Sequence, residues 1–190
     1  MDAAPIGVVG TGYVGLVSAV CFAHLGHDVV CMDVDEGKIA KLERGEVPIY
    51  EPGLEKLMAD NAARLSYTTS YDALLEHCRI LFIAVDTPPS PSGDADLSRV
   101  QHAVREIAER GGQRLLVMKS TVPVGTGEKV MADLEALGVT GITYASNPEF
   151  LREGAAIQDF LEPDRIVVGC FRDEDGAAVE ALYRGIDTEV

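Results

Sequence analysis

The stretch "VVGTGYVGL" constrains this chain more than any other. An apolar run, Ile6–Val9, meets glycines spaced G-x-G-x-x-G at Gly10, Gly12 and Gly15, and a segment of helical period follows. A buried strand that turns directly into a helix needs one glycine for the tight turn. It needs a second where a ligand comes close to the backbone, and a third where helix and strand touch. The same junction offers the free N–H groups and positive dipole end of a helix to an anion.

The rest of the chain repeats that alternation. Short runs rich in Val and Ile predict strands near Ile6–Val9, Asp28–Met32, Leu65–Thr68, Ile80–Val85, Leu115–Met118, Ile142–Ala145 and Ile166–Val168. Segments of helical period predict helices over Tyr13–Leu25, Glu36–Arg44, Leu54–Asn61, Tyr71–His77, Leu97–Arg110, Gly127–Leu137 and Glu174–Arg184. Strands alternating with helices give an α/β fold, a Rossmann-type doubly wound parallel sheet with helices on both faces, in one domain over residues 1–190. The Pro- and Ser-rich Thr87–Ser98 reads as a loop entering a helix, with Asp96 or Ser98 as its cap.

Such sheets bind ligands at the carboxyl ends of their strands, and there the chemistry-bearing residues collect. The second strand ends in Asp33, 18 positions beyond Gly15, where an acid accepts hydrogen bonds from an adenosine ribose. A carboxylate there repels a 2′-phosphate, which favours NAD over NADP; the same fingerprint also suits a domain binding another nucleotide. Lys38, early in the next helix, either reaches the ribose or a phosphate or is a solvated helix residue.

Thr121 stands just beyond the strand "LLVMK", on the nicotinamide side of the crevice, where a hydroxyl holds a water or a ribose. Thr126 reads as a helix cap, and Lys119 as structural or as a surface charge. In "SNPEFLREG", Glu149 and Glu153 lie four apart and would share one face if the chain turns helically after Pro148. Two readings stay open for them: a general base withdrawn from water, or acids that favour a helix dipole.

Composition narrows the classes. A formal charge of -15 without a Lys/Arg run makes nucleic acid a poor partner. No apolar run approaches the roughly 20 residues of a membrane span, and "MDAAPIGVVG" lacks a signal's basic region, so a cytoplasmic address is expected. Cys21, Cys31, Cys78 and Cys170 form no CxxC pair and read as free buried thiols, so no metal site is expected.

Taken together, "GTGYVGL", "PIYEPGL", "TPPSPSGDADLS", "KSTVPVGT", "NPEFLREG" and "PDRIVVG" resemble the amino-terminal domain of the UDP-glucose/GDP-mannose dehydrogenase family over nearly the whole chain. "PDRIVVG" resembles the UDP-glucose branch more than the GDP-mannose branch. The resemblance implies oxidation of a nucleotide-sugar C6 alcohol to a carboxylate in two NAD-dependent steps, through a thioester on a cysteine. By the match, Gly10, Thr11, Gly12, Tyr13, Val14 and Gly15 hold the pyrophosphate, and Asp33 and Lys38 the adenosine ribose. Thr87 and Thr121 line the rest of the NAD site. Glu149 activates the water that hydrolyses the thioester, helped by Thr121, and Glu153 touches the cofactor or that water. Glu149, Phe150, Leu151 and Arg152 contact the UDP-sugar, and the full-length enzyme is expected to be a homodimer.

Two departures stand out. Asp86, in "IAVDTPPS", stands where an uncharged residue is expected. The family's nucleophilic cysteine belongs to a later glycine-rich segment that has no counterpart here, and the central helix and sugar-nucleotide domain are absent. Half an active site is therefore expected, a domain that binds NAD and turns over nothing, as from a chain cut at a domain boundary. The alternatives are a stand-alone NAD(H)-sensing module and a dehydrogenase for UDP-N-acetylmannosamine or GDP-mannose. A simple β-hydroxyacid dehydrogenase leaves "NPEFLREG" unexplained.

Overall fold

A computed structural model describes residues 5–91 and 93–190. The start of the chain and Ser92, in the Thr87–Ser98 loop, lie outside the described residues. Seven strands form one sheet: β1 (Ile6–Val9), β2 (Val29–Met32), β3 (Leu65–Thr68), β4 (Ile80–Ile83), β5 (Arg114–Met118), β6 (Ile142–Ser146) and β7 (Gly169–Cys170). Their order is β3-β2-β1-β4-β5-β6-β7. The chain winds outward from β1 through β2 to β3, then returns to place β4 on the other side of β1. That reversal leaves a crevice above the ends of β1 and β4, where neither connection crosses.

All pairs from β3 to β6 are parallel, whereas β7 pairs antiparallel with the end of β6. This corrects the seventh strand predicted at Ile166–Val168. There the chain is anchored by other bonds, Ile166 N–H to the Glu189 carbonyl and Asn147 Nδ2 to the Val167 carbonyl, and pairing starts only at Gly169.

Helices α1 (Tyr13–His24), α2 (Glu36–Glu43), α3 (Leu54–Asp60), α7 (Ala156–Leu161) and α8 (Asp173–Leu182) share one apolar core with one face of the sheet. Helices α4 (Tyr71–His77), α5 (Ser98–Arg110) and α6 (Thr126–Ala136) cover the other. α1 is apolar almost all round because it is buried all round, with α3 and α7 packed on its outer side. α5 shows the opposite pattern: Val100, Ala103, Val104, Ile107 and Ala108 face the sheet, so Arg99 on its first turn points elsewhere.

Phe22 of α1 is the hub of the first core. Its ring lies 5.0 Å from Phe82 on β4, 5.1 Å from Phe160 on α7 and 5.2 Å from Tyr183 after α8. Each such pair adds about 0.5–1.5 kcal/mol beyond area burial. No helix among the described residues is long and apolar enough to cross a membrane.

Candidate functional site

The glycine turn sits where β1 runs out. Gly10 has φ +98°, its N–H donates to the Met32 carbonyl, and a Cβ there would lie 2.6 Å from the Ala84 carbonyl oxygen. A Cβ on Gly15 would lie 1.9 Å from the Gly10 oxygen. Those two glycines let turn, helix and sheet touch. Gly12 is different: its backbone is extended, and an added Cβ would meet the Asp86 carboxylate at 3.1 Å across a cleft. No side chain caps α1 at Gly12 and no acid lies in its first turn, so the first N–H groups of the helix are left for a ligand.

Asp33, at the end of β2, forms the next wall. Its Oδ2 accepts from both the N–H and the hydroxyl of Thr11 at 2.8 Å, and its Oδ1 accepts from Asp35 N–H at 3.0 Å. Burial alone would raise this carboxyl. The Thr11 and Asp35 donors and the nearby Lys38 cation outweigh burial and hold it below the usual range. Lys38 Nζ lies 3.7 Å from Asp33, while Asp35 caps α2 by accepting from Lys38 N–H. Gly10, Gly12, Asp33 and Lys38 thus line one cavity, whereas the buried Thr11 spends its side chain orienting Asp33.

A second cavity opens beyond Gly12, lined by Tyr13, Val14, Asp86, Thr87, Arg99 and Thr121 among others. The Thr87 hydroxyl donates to the Thr121 carbonyl at 2.8 Å, and the Ser120 hydroxyl to the Val85 carbonyl at 2.7 Å. These bonds lace the loops after β4 and β5 together and leave the Thr121 side chain exposed. Thr126 does not cap α6 with its side chain. Gly125 holds the cap position with positive φ, and the Thr126 hydroxyl donates to the Pro123 carbonyl instead.

The stretch from Asn147 to Ala155 is a loop, and α7 begins only at Ala156. Glu149 and Glu153 therefore do not stack on one helix face. Glu149 accepts from Leu151 N–H two residues on at 2.6 Å, a local turn that replaces the expected helical start. Glu149 and Thr121 line a third cavity together with Tyr144 and Cys170, while Glu153 sits exposed in the turn before α7. Arg165 stacks over the exposed Phe150 ring at 5.8 Å, and Leu151 packs on the core. Arg152 is tied by its N–H and guanidinium to Asp159 at 2.6–3.0 Å.

Two residues given no chemistry in the sequence reading organise this loop. Glu51 is buried and accepts from the Tyr13 hydroxyl, from Gly154 N–H at 2.9 Å and from Ala156 N–H at 2.9 Å. It joins α1 to the start of α7; burial and the Glu51 bond push the Tyr13 hydroxyl up to about 12. The only sequence signal was a lone acid inside "PIYEPGL", between two prolines that mark a loop.

Lys119 is the other, and it is no surface charge. Its amine is buried, donates to Asn147 Oδ1 at 3.0 Å and Tyr183 Oη at 3.2 Å, and lies within 6 Å of the Phe160 and Tyr183 ring centres. Burial pulls its pKa down to about 8, with Glu149 acting the other way. The Asn147 amide in turn donates to the Val167 carbonyl, so Lys119 fixes the base of the Glu149 loop. Of the thiols, Cys21, Cys31 and Cys78 are buried, but Cys170 is exposed, because its strand sits at the sheet edge.

The NAD-binding domain of the UDP-glucose/GDP-mannose dehydrogenase family matches residues 4–187. A UDP-glucose 6-dehydrogenase of Rhizobium meliloti (strain 1021) is 52% identical over 182 residues, 93% of this chain and 41% of that protein. One from Bacillus subtilis (strain 168) is 45% identical over 184 residues, 94% of this chain and 40% of that protein. The solved UDP-glucose dehydrogenase from the hyperthermophilic archaeon Pyrobaculum islandicum superposes with a TM-score of 0.92 at 42% identity, covering 98% of this chain and 45% of that one. A GDP-mannose dehydrogenase from Pseudomonas aeruginosa gives 0.90 at 36% identity, covering 97% of this chain and 45% of that one. The chain spans about two fifths of the length of these curated relatives.

Proposed function

Because the chain belongs to the UDP-glucose/GDP-mannose dehydrogenase family and carries its NAD-binding domain, we propose that it serves a UDP-glucose 6-dehydrogenase that makes UDP-glucuronate in the cytoplasm as a homodimer. The observation that carries the reading is the Asp33 carboxylate. Thr11 fixes it at the rim of a cavity shared with Gly10, Gly12 and Lys38, as an acceptor for ribose hydroxyls and a repellent for a 2′-phosphate.

The residues fit a dinucleotide. A Cβ at Gly12 would project into the cleft toward Asp86, and the uncapped start of α1 offers its N–H groups there. Bound there, NAD supplies the hydride acceptor for an alcohol. In the proposed site Gly10 to Gly15 hold the pyrophosphate, with Thr11 acting through Asp33 and Tyr13 through Glu51. Asp33 and Lys38 hold the ribose, and Thr87 and Thr121 bound the nicotinamide side. Glu149, with Thr121 and Glu153, positions water for thioester hydrolysis, and Phe150, Leu151 and Arg152 meet the UDP-sugar. Taking an alcohol to a carboxylate removes two hydrides and adds one water; the attacking water must give up a proton as the thiolate leaves, so that step needs a base, and Glu149 lines the cavity beside Thr121.

Residues 1–190 on this reading are one domain, and the nucleophilic cysteine and the rest of the sugar site lie in other parts of the enzyme. The UDP-glucose substrate is favoured over GDP-mannose by the names and identities of the relatives. The chain alone should bind NAD+ saturably and reduce none with UDP-glucose. Joined to the carboxyl-terminal remainder of the Rhizobium meliloti relative, it should produce NADH from UDP-glucose. NADH formed from GDP-mannose alone would overturn the substrate, and NADP+ bound more tightly than NAD+ would overturn the Asp33 argument.

A further inference from the structure

Asp86 is the residue the family resemblance does not absorb, and the structure gives it a partner. Asp86 Oδ2 accepts from Arg99 Nη1 at 2.8 Å, across the gap between the end of β4 and the first turn of α5. The other carboxylate oxygen faces Gly12, 3.1 Å from where a Cβ would stand. Asp86 and Arg99 line both the cavity holding Asp33 and Lys38 and the cavity holding Thr87 and Thr121, and they are the charged residues common to the two.

A dinucleotide that fills both cavities must carry its pyrophosphate over Gly12, between them. It then passes the carboxylate of Asp86 at close range, a like-charge contact that opposes binding unless a cation offsets it. Lys38 is the other Lys or Arg lining these cavities, and it is engaged with Asp33 at the adenosine end. Arg99 is the cation at the crossing. Its bond to Asp86 uses one of the five N–H groups of a guanidinium, whose planar fork suits bridging a carboxylate and a phosphate at once.

We propose that Arg99, held over the cleft by Asp86, is a pyrophosphate-binding residue, and that this chain accepts a carboxylate beside the cofactor phosphates because Arg99 neutralises it. The proposal rests on the NAD reading above. A purely structural role fits the pair poorly: the two side chains are 58% and 60% exposed, and such isolated surface pairs add little to stability. Variants at either position should therefore fold.

The test compares Arg99→Ala, Asp86→Asn and the double variant of this chain, with folding checked by circular dichroism. NAD+ binding is measured by calorimetry and adenosine, the phosphate-free probe, by ligand-observed NMR. Loss of a charge-assisted contact to phosphate should weaken NAD+ by about tenfold or more in Arg99→Ala and leave adenosine binding as in the parent. The double variant should recover a clear part of that loss, because the bare Asp86 is gone. Parent-like NAD+ affinity in Arg99→Ala would overturn the proposal. So would an equal loss for adenosine, or a double variant no better than Arg99→Ala. A folded parent chain that binds no NAD+ would instead overturn the cofactor reading, and the proposal with it.

Discussion

Replacing Lys119 by Met should change how stability depends on pH, in a direction fixed by where the amine sits. In the folded chain Lys119 is 4% exposed with its amine bonded to Asn147 and Tyr183, and burial lowers its pKa from 10.5 to about 8. In the unfolded chain it titrates as an ordinary lysine. As the pH rises through about 8, the folded protein releases a proton that the unfolded chain still holds, so the folded state gains stability. The gap between 10.5 and about 8 corresponds to about 3 kcal/mol. Between about pH 7 and about pH 9, about 1.3 kcal/mol of that gain should be realised. Wild-type protein alone would hide it, because the buried thiols of Cys21, Cys31 and Cys78 are pushed up to about 12 and act oppositely from about pH 8 upward, as the unfolded thiols begin to ionise. The difference between parent and Lys119→Met, from urea unfolding at each pH, removes those shared contributions. It should move in favour of the parent by about 1.3 kcal/mol over that range. A difference constant to within about 0.3 kcal/mol would refute the buried-cation account, whatever the offset between the variants.

Three further outcomes follow from contacts already described. Gly15→Ala forces a Cβ to 1.9 Å from the Gly10 carbonyl, and both atoms belong to the turn, so unfolding experiments should show a loss of at least about 3 kcal/mol together with NAD+ binding. Glu51→Ala leaves the Ala156 N–H without its acceptor and the Gly154 N–H with only the Tyr13 hydroxyl at 3.2 Å; stability should fall by about 1–3 kcal/mol, and amide exchange should rise first at Ala156. Asp33→Asn keeps the size but loses the charge, so the preference for NAD+ over NADP+, read by calorimetry, should shrink by about tenfold.

The central strands β1, β2, β4 and β5 were legible because each is a near-continuous apolar run, the pattern a sheet covered on both faces imposes. Local signals carried the glycine turn and Asp33 because the Gly15–Gly10 approach and the Thr11–Asp33 bonds lie within one βαβ unit. Local pattern misled in two places. The apolar run Ile166–Val168 looks like a strand, but long-range bonds to Asn147 and Glu189 hold its backbone. Pro148 looks like a helix start, yet Glu149 caps its own loop and the helix waits for the Glu51 carboxylate, supplied from 105 residues away in sequence. Glu51 and Lys119 were opaque because a charged residue's partners decide its burial, and here they are distant in sequence.

The same distant contacts hold the loops around Thr121 and Glu149 in order. Thr121 lies where two cavities meet, one with Tyr13 and Thr87 on the proposed nicotinamide side, the other with Glu149. In the proposed reaction a carbon that gives up a hydride and is later attacked by water must reach both, so on that reading the position of Thr121 relative to Glu149 matters more than either residue alone. That relation is fixed from behind. Thr121 is held through its carbonyl by Thr87, while Ser120 is tied to Ile83 of β4 and Lys119 to Asn147, two residues before Glu149. Two of these ties join a hydroxyl to a main-chain carbonyl and the third joins two buried side chains, so each exists without ligand. Shifting Lys119 should therefore move Glu149 and leave Asp33 untouched. In the chimaeric enzyme, Lys119→Met should slow turnover of UDP-glucose at saturating NAD+ while the NAD+ affinity stays at the parent value. Equal losses in both would mean that the base of the Glu149 loop and the cofactor cleft are one mechanical unit.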